Sequence, residues 1–128
     1  MRDLLPQAIK DQDAAHPLSA AWRPVFREIV HALVEGDYSL SRNIPQVRRI
    51  EPQTANQMRA YVESYGATLV DLPDESWKTS VAQWMDTHWE VVLDLWTAEE
   101  GSSDLALQAR VFEVADSFEI EVGCVLVP

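Results

Sequence analysis

His88-Trp89-Glu90-Val91-Val92-Leu93-Asp94-Leu95-Trp96-Thr97-Ala98-Glu99-Glu100-Gly101-Ser102-Ser103-Asp104 is the stretch whose reading decides the fold. Trp89, Val91, Leu93 and Leu95 alternate onto one side and His88, Glu90, Asp94 and Trp96 onto the other, with Val92 the apolar exception. Period-two alternation marks a strand with one buried face, because successive side chains leave the pleat on opposite sides. The polar run that follows predicts a turn. A second strand starts at Leu105, where Leu105, Leu107, Ala109 and Val111 alternate against Gln108, Arg110 and Phe112. Matching the two apolar faces pairs 95 with 105, 93 with 107, 91 with 109 and 89 with 111, since a slip of one residue would turn a whole face to water. That register sets Glu90 opposite Arg110.

A third strand, Phe118 to Val127, continues the pattern with Phe118, Ile120, Val122, Cys124 and Leu126 on its apolar face. A tight turn at Ala115-Asp116 joins it to the second strand and brings Glu121 opposite Arg110. Glu90, Arg110 and Glu121 then form a cross-strand ladder, in which one cation relieves the repulsion of two carboxylates at roughly 0.2–1 kcal/mol per pair.

Upstream the periodicity changes to three and four. From Trp22, with Pro24 in the first turn, Phe26, Ile29, Val30, Leu33 and Val34 recur at helical spacing, and Gly36 supplies the stop. A second helix opens at Glu51-Pro52, carries Ala55, Met58, Tyr61, Val62 and Tyr65, and ends at Gly66. Ala67 to Leu72 and Trp77 to Met85 read as further strands, separated by a turn at Pro73-Asp74-Glu75-Ser76. Residues 1–18, interrupted by Pro6 and Pro17, read either as a short helix over Leu4, Leu5, Ala8 and Ile9 or as a tail that orders on contact. Tyr38 to Ile50 is a connection holding Arg42, Arg48 and Arg49, placed to lie across the sheet. Together these elements predict an α+β fold in one domain, residues 1–128, with two to three N-terminal helices on one face of a four- to five-stranded antiparallel meander.

Charge divides the chain in two. Residues 1–64 hold eight Lys/Arg and eight Asp/Glu; residues 65–128 hold Lys78 and Arg110 against thirteen acids, so the whole net charge of −11 falls on the sheet half. Such a surface repels nucleic acid and anionic lipid and speeds encounter with a basic partner. No apolar run reaches the eighteen residues of a membrane span, and the first residues lack the apolar core of a secretory signal, so the expectation is a cytoplasmic protein. The single cysteine, Cys124, permits no internal disulfide and no CxxC site, and its place in the alternation makes it a core residue.

Catalytic signatures are missing: there is no GxSxG, HExxH, GxxxxGK or GxGxxG. His88-Trp89-Glu90 matches the His-x-Glu half of a zinc deaminase, but that chemistry needs a thiolate pair and the chain has one cysteine. Glu99, Glu100 and Asp104 around Gly101 do not have EF-hand spacing, and His31, which shares a helix face with Glu35, has no second histidine nearby. No catalytic residue, metal or cofactor is assigned. The reading that remains is a non-enzymatic protein-binding module, an immunity or inhibitor protein that sets an acidic sheet face against a basic effector. Its contact residues would be Glu90, Asp94, Trp96, Arg110, Phe112, Glu119 and Glu121 on the outer face, with Trp84 and Gln108 beside them, and Glu99, Glu100 and Asp104 on the hairpin. The 38–50 connection or the N-terminal segment is expected to cover part of that face. The competing readings are a small-molecule or enzymatic pocket between helices and sheet, as in cystatin-like or NTF2-like folds with His31 or His88 as acid or base, and a homodimer built through the sheet.

Three phrases carry a resemblance: Leu72-Pro73-Asp74-Glu75-Ser76-Trp77, then Asp94-Leu95-Trp96-Thr97-Ala98-Glu99-Glu100-Gly101-Ser102-Ser103-Asp104-Leu105, and the closing Val127-Pro128. Over residues 17–128 the chain resembles a family of small uncharacterised bacterial proteins. The resemblance implies a bacterial origin and a shared fold, and it carries over no catalytic residue.

Overall fold

The computed structural model describes residues 7–128. Helix α1 spans Arg23–Val34 and buries Phe26, Ile29, Val30, Ala32 and Leu33, the stripe that the spacing predicts. Pro24 sits in its first turn, where a missing N–H costs nothing. Helix α2, Pro52–Tyr65, buries Ala55, Met58 and Val62 and closes on Gly66, whose positive φ lets its N–H return to the carbonyls of Val62 and Glu63. After it come β1 (Leu69–Val70), the single helical turn α3 (Ser76–Thr79), β2 (Val81–Trp84), β3 (Trp89–Thr97), β4 (Gly101–Val114) and β5 (Ser117–Leu126). The fold is α+β, with an antiparallel sheet of five strands.

Strands β3, β4 and β5 form the meander, while β1 and β2 do not extend it: both lie on the other edge of β3. Strand β2 covers Trp89 to Val92 and β1 covers Trp96 and Thr97. The gap between them falls at Asp94, whose backbone would be left bare. Instead the Asp94 N–H donates to Ser80 Oγ at 2.9 Å, and Ser76 Oγ donates to the Asp94 carbonyl at 2.8 Å. Ser80 Oγ also donates to the Ser76 carbonyl at 2.8 Å, and both serines are buried. Two hydroxyls thus replace the missing ladder bonds, as buried main-chain groups require.

The strand predicted over Trp77 to Met85 is a strand only in its second half. Its first half turns helically, closed by the Ser80 N–H on the Ser76 carbonyl, and Trp77 lies under the guanidinium groups of Arg23 and Arg27. Trp84, expected on the outer face, belongs to the inner one, because it pairs with Trp89 and cross-strand partners share a face. The Trp84 and Trp89 rings are 4.6 Å apart, and Trp22 meets Trp89 edge-on at 5.1 Å.

Three of the four predicted β3–β4 pairs hold: Trp89 with Val111, Val91 with Ala109, and Leu93 with Leu107. The fourth does not, because a bulge after Asp94 resets the register so that Trp96 faces Ser102 and Thr97 faces Gly101. Strand β4 therefore begins at Gly101 rather than Leu105, and the turn contracts to residues 98–100. A second bulge pairs Ala109 with Val122 but Gln108 with Cys124, leaving Gly123 extra. Beyond it every side chain changes face: Val125 enters the core, and Cys124, expected there with Leu126, moves to the outer side half-buried. Glycine suits this position because a Cβ would stand 2.9 Å from the Gln108 carbonyl oxygen.

The inner face buries Val91, Leu93, Leu95, Leu107, Ala109, Val111, Ile120 and Val125 completely against α1 and α2, each large side chain contributing about 1.5–3 kcal/mol. Each outer edge of the sheet is engaged in part by the rest of the chain. His16 exchanges two backbone hydrogen bonds with Ala82 of β2, at 2.8 and 2.7 Å. Along β5, Ile120 bonds to Gln46 and Arg48, the Gln57 amide donates to and accepts from the Val125 backbone, and Tyr61 Oη accepts from the Val127 N–H. Residues 7–18 form no helix; Trp89 Nε1 donates to the Ile9 carbonyl at 3.0 Å. Leu4 and Leu5 of the predicted short helix lie outside the described residues.

Candidate functional site

The predicted outer-face residues separate into two groups. The first is the ladder. Arg110 Nε donates to Glu90 Oε2 at 2.9 Å, and Arg110 Nη1 stands 3.7 Å from Glu121. His88 Nε2 lies 2.7 Å from the same Glu90 oxygen, and its Nδ1 lies 2.8 Å from Thr87 Oγ1. Arg48 reaches over from the 38–50 connection: its Nε is 3.0 Å from Glu119, its Nη1 3.7 Å from Glu121, and its guanidinium sits 4.1 Å above the Phe112 ring. His88 meets the same ring at 5.2 Å. Arg48 and His88 thus cover the margins of the face. Its middle stays open at Arg110, beside a depression of about 240 Å³ where Cys124 Sγ donates to Gln108 Oε1. Burial pushes the Cys124 thiol above its usual range. Here three carboxylates, Glu90, Glu119 and Glu121, meet two arginines, and each carboxylate has an arginine within 3.7 Å.

The second group is the β3–β4 hairpin tip. Glu99 Oε1 accepts the Thr68 N–H at 2.9 Å, which holds its carboxyl below the usual range. Glu100 Oε1 accepts the Tyr65 hydroxyl at 2.6 Å, and this bond raises the phenol's pKa. Tyr65 Oη in turn accepts the Asp104 N–H at 3.4 Å. Among the described residues no lysine or arginine pairs with Glu99, Glu100 or Asp104, and α2 brings no basic side chain in its last turn to offset its carbonyl end. The Glu99 and Glu100 carboxylates take separate donors, Thr68 and Tyr65. Among the described residues no three His, Cys, Asp or Glu side chains gather as a metal shell. Asp94 belongs to neither group, its carboxylate accepting the Thr79 hydroxyl. Trp96 lies beside Gly101, its indole N–H buried and, among the described residues, without a partner.

The histidine that sequence reading singled out on α1 is clamped. His31 Nδ1 is 2.8 Å from Asp71 and Nε2 is 3.3 Å from Glu35. The hydrogen bond to Asp71, then the charges of Asp71 and Glu35, raise its pKa. Arg42 ties Glu35 at 2.7 Å and Asp37 at 3.1 Å, which lowers the Glu35 carboxyl; the Ser41 N–H does the same for Asp37. With both ring nitrogens on carboxylates, the imidazole links α1 to the segment after β1. It lines an open cleft of about 500 Å³ with Arg27, Ile44 and Leu72. Between the helices and the sheet themselves, Met58, Leu93 and Leu107 fill the space without exposure.

Fold and surface together define a small α+β domain whose sheet carries a balanced charge ladder and whose central hairpin ends in unbalanced acid. The chain belongs to the family DUF7668, a domain of unknown function, whose model matches residues 30–128. Comparison with curated proteins and with solved structures gives no match. The matched span contains the ladder, the hairpin tip and the 38–50 connection. Arg48 was visible in the sequence as part of a basic cluster, but Tyr65 and Thr68 reach the hairpin only through the packing of α2 and β1, for which no local signal exists.

Proposed function

We propose that the protein is a non-enzymatic binding module that recognises a basic protein partner, as an inhibitor or immunity protein of the bacterial cytoplasm would. The observation that supports this reading is the state of the Glu99 and Glu100 carboxylates, which accept only neutral donors, Thr68 N–H and the Tyr65 hydroxyl, with the Asp104 carboxylate beside them paired to no cation among the described residues. Tyr65 adjoins them, with the exposed Tyr61 beside it, and these rings supply contact area at modest entropic cost. An unscreened acidic tip also accelerates encounter with a cationic surface. The ladder carboxylates, already matched by Arg48 and Arg110, have less to offer a partner.

Affinity capture from source-cell lysate tests the reading, with the wild-type protein beside E99K/E100K/D104K and beside E90Q/E121Q. The expected result is a basic partner, released as salt rises, lost from the tip variant and retained by the ladder variant. Capture of nothing, or of a partner indifferent to salt and to the tip reversal, refutes it.

A further inference from the structure

A second surface has the opposite character. Between the 39–50 connection and the first turns of α2 lies a cleft of about 850 Å³, lined by Arg48, Arg49 and Arg59 and, among the described residues, by no carboxylate. In a chain of net charge −11 that is a pronounced segregation. Arg48 is committed to Glu119 and Glu121. Arg49 and Arg59 form no ion pair among the described residues, and Arg59 rests 5.3 Å from the Tyr38 ring centroid. The side-chain amides of Asn43 and Asn56 line the same space, also without a hydrogen-bond partner among the described residues. Four side chains whose donors have no hydrogen-bond partner among the described residues therefore open on one cavity, whose walls include the buried Ile44 and Ile50. Asn43 holds a left-handed backbone at φ 53°, with Leu40 and Gln46 likewise at 52° and 68°, so the lining loop is built on three strained turns.

We propose that this cleft binds a soluble small molecule bearing a phosphate or pyrophosphate group, held by Arg49 and Arg59. Guanidinium forks match oxyanions bidentately, and a phosphate's three terminal oxygens can use the two asparagine amides as well, where a carboxylate's two oxygens cannot. The volume suits a compact ligand with an apolar portion. An extended polyanion such as nucleic acid would meet the acidic remainder of the surface and be repelled.

Calorimetric titration with inorganic pyrophosphate at constant ionic strength, with amide chemical shifts read in parallel, tests the assignment. Saturable binding with shifts confined to residues 39–59 is expected. Binding should weaken at least about tenfold in R49A/R59A, and in K78A, which removes a cation outside the cleft, it should be unchanged. Arg49 and Arg59 are exposed, so the variant should keep the wild-type melting temperature; R59K, which retains the charge but loses the fork, should fall between. Absence of saturation at millimolar pyrophosphate, equal binding by R49A/R59A, or tighter binding of malonate than of pyrophosphate would overturn the proposal.

Discussion

Replacing Ser80 with alanine removes one oxygen from the seam between β1 and β2, and the structure says what that oxygen does. It accepts the Asp94 N–H at 2.9 Å in the middle of β3 and donates to the Ser76 carbonyl at 2.8 Å. The Ser76 carbonyl keeps its bond from the Ser80 N–H, so the loss concentrates on Asp94. A main-chain donor stranded away from water costs about 1–3 kcal/mol, and about 2 kcal/mol is the central expectation here. For a domain of this size, between the ranges known for smaller and larger ones, each kcal/mol moves the melting temperature by about 3–6 °C, giving a fall of about 6–12 °C. Thermal and urea unfolding followed by tryptophan fluorescence would measure it, with an unchanged urea slope showing that the denatured state is not involved. S76A/S80A should cost less than the sum of the single variants, because both act on one residue's backbone. A melting temperature for S80A within about 2 °C of wild type would refute the idea that these hydroxyls stand in for a strand.

Gly123→Ala should destabilise by about 1–3 kcal/mol, since its Cβ would press on the Gln108 carbonyl oxygen at 2.9 Å in a bulge that cannot relax without losing register; unfolding midpoints decide it. For His31, an NMR titration should give a midpoint above the peptide value of about 6.5, and Asp71→Asn should lower it. A raised histidine pKa stabilises fully below about pH 6.5 and the gain fades as pH climbs through the folded value. Wild type should therefore lose some stability as pH climbs above about 6.5, less so in high salt, and His31→Asn should not. Cys124, half-buried on the outer face, should react with a thiol reagent in the folded protein, slowly and faster at higher pH because its thiol is pushed up. If S80A, which raises the unfolded population, sped labelling in proportion, the thiol would be core after all.

How far the sequence could be read depended on whether a single alternation governed the stretch. Trp89 to Leu93 and Leu107 to Val111 alternate cleanly, and their register follows from one face being buried. After Gly123 the run Cys124-Val125-Leu126-Val127 is apolar in both phases, so periodicity could not choose a face and the bulge decided it. Four residues are likewise too few for a helical period, which hid α3 inside an apparent strand. The charge ladder was legible because Glu90, Arg110 and Glu121 are neighbours across strands whose register was right. Arg48 on Glu119 and Tyr65 on Glu100 join residues 71 and 35 positions apart, and the basic cleft joins a loop to a helix face. Such contacts follow from tertiary packing and leave no period in the chain.

The occupied sheet edges narrow how this molecule can be recognised. With Ala82 engaged by His16, Ile120 by the 46–48 segment and Val125 by Gln57, β2 and β5 are already capped at these points by the chain itself, which interrupts the main-chain ladder onto which a foreign strand could zip. Main-chain pairing tolerates almost any sequence in the guest. Where strand addition is interrupted, discrimination falls to individual side chains, so on the binding role proposed above single substitutions at the hairpin tip should redirect partner choice while the scaffold beneath them stays unchanged.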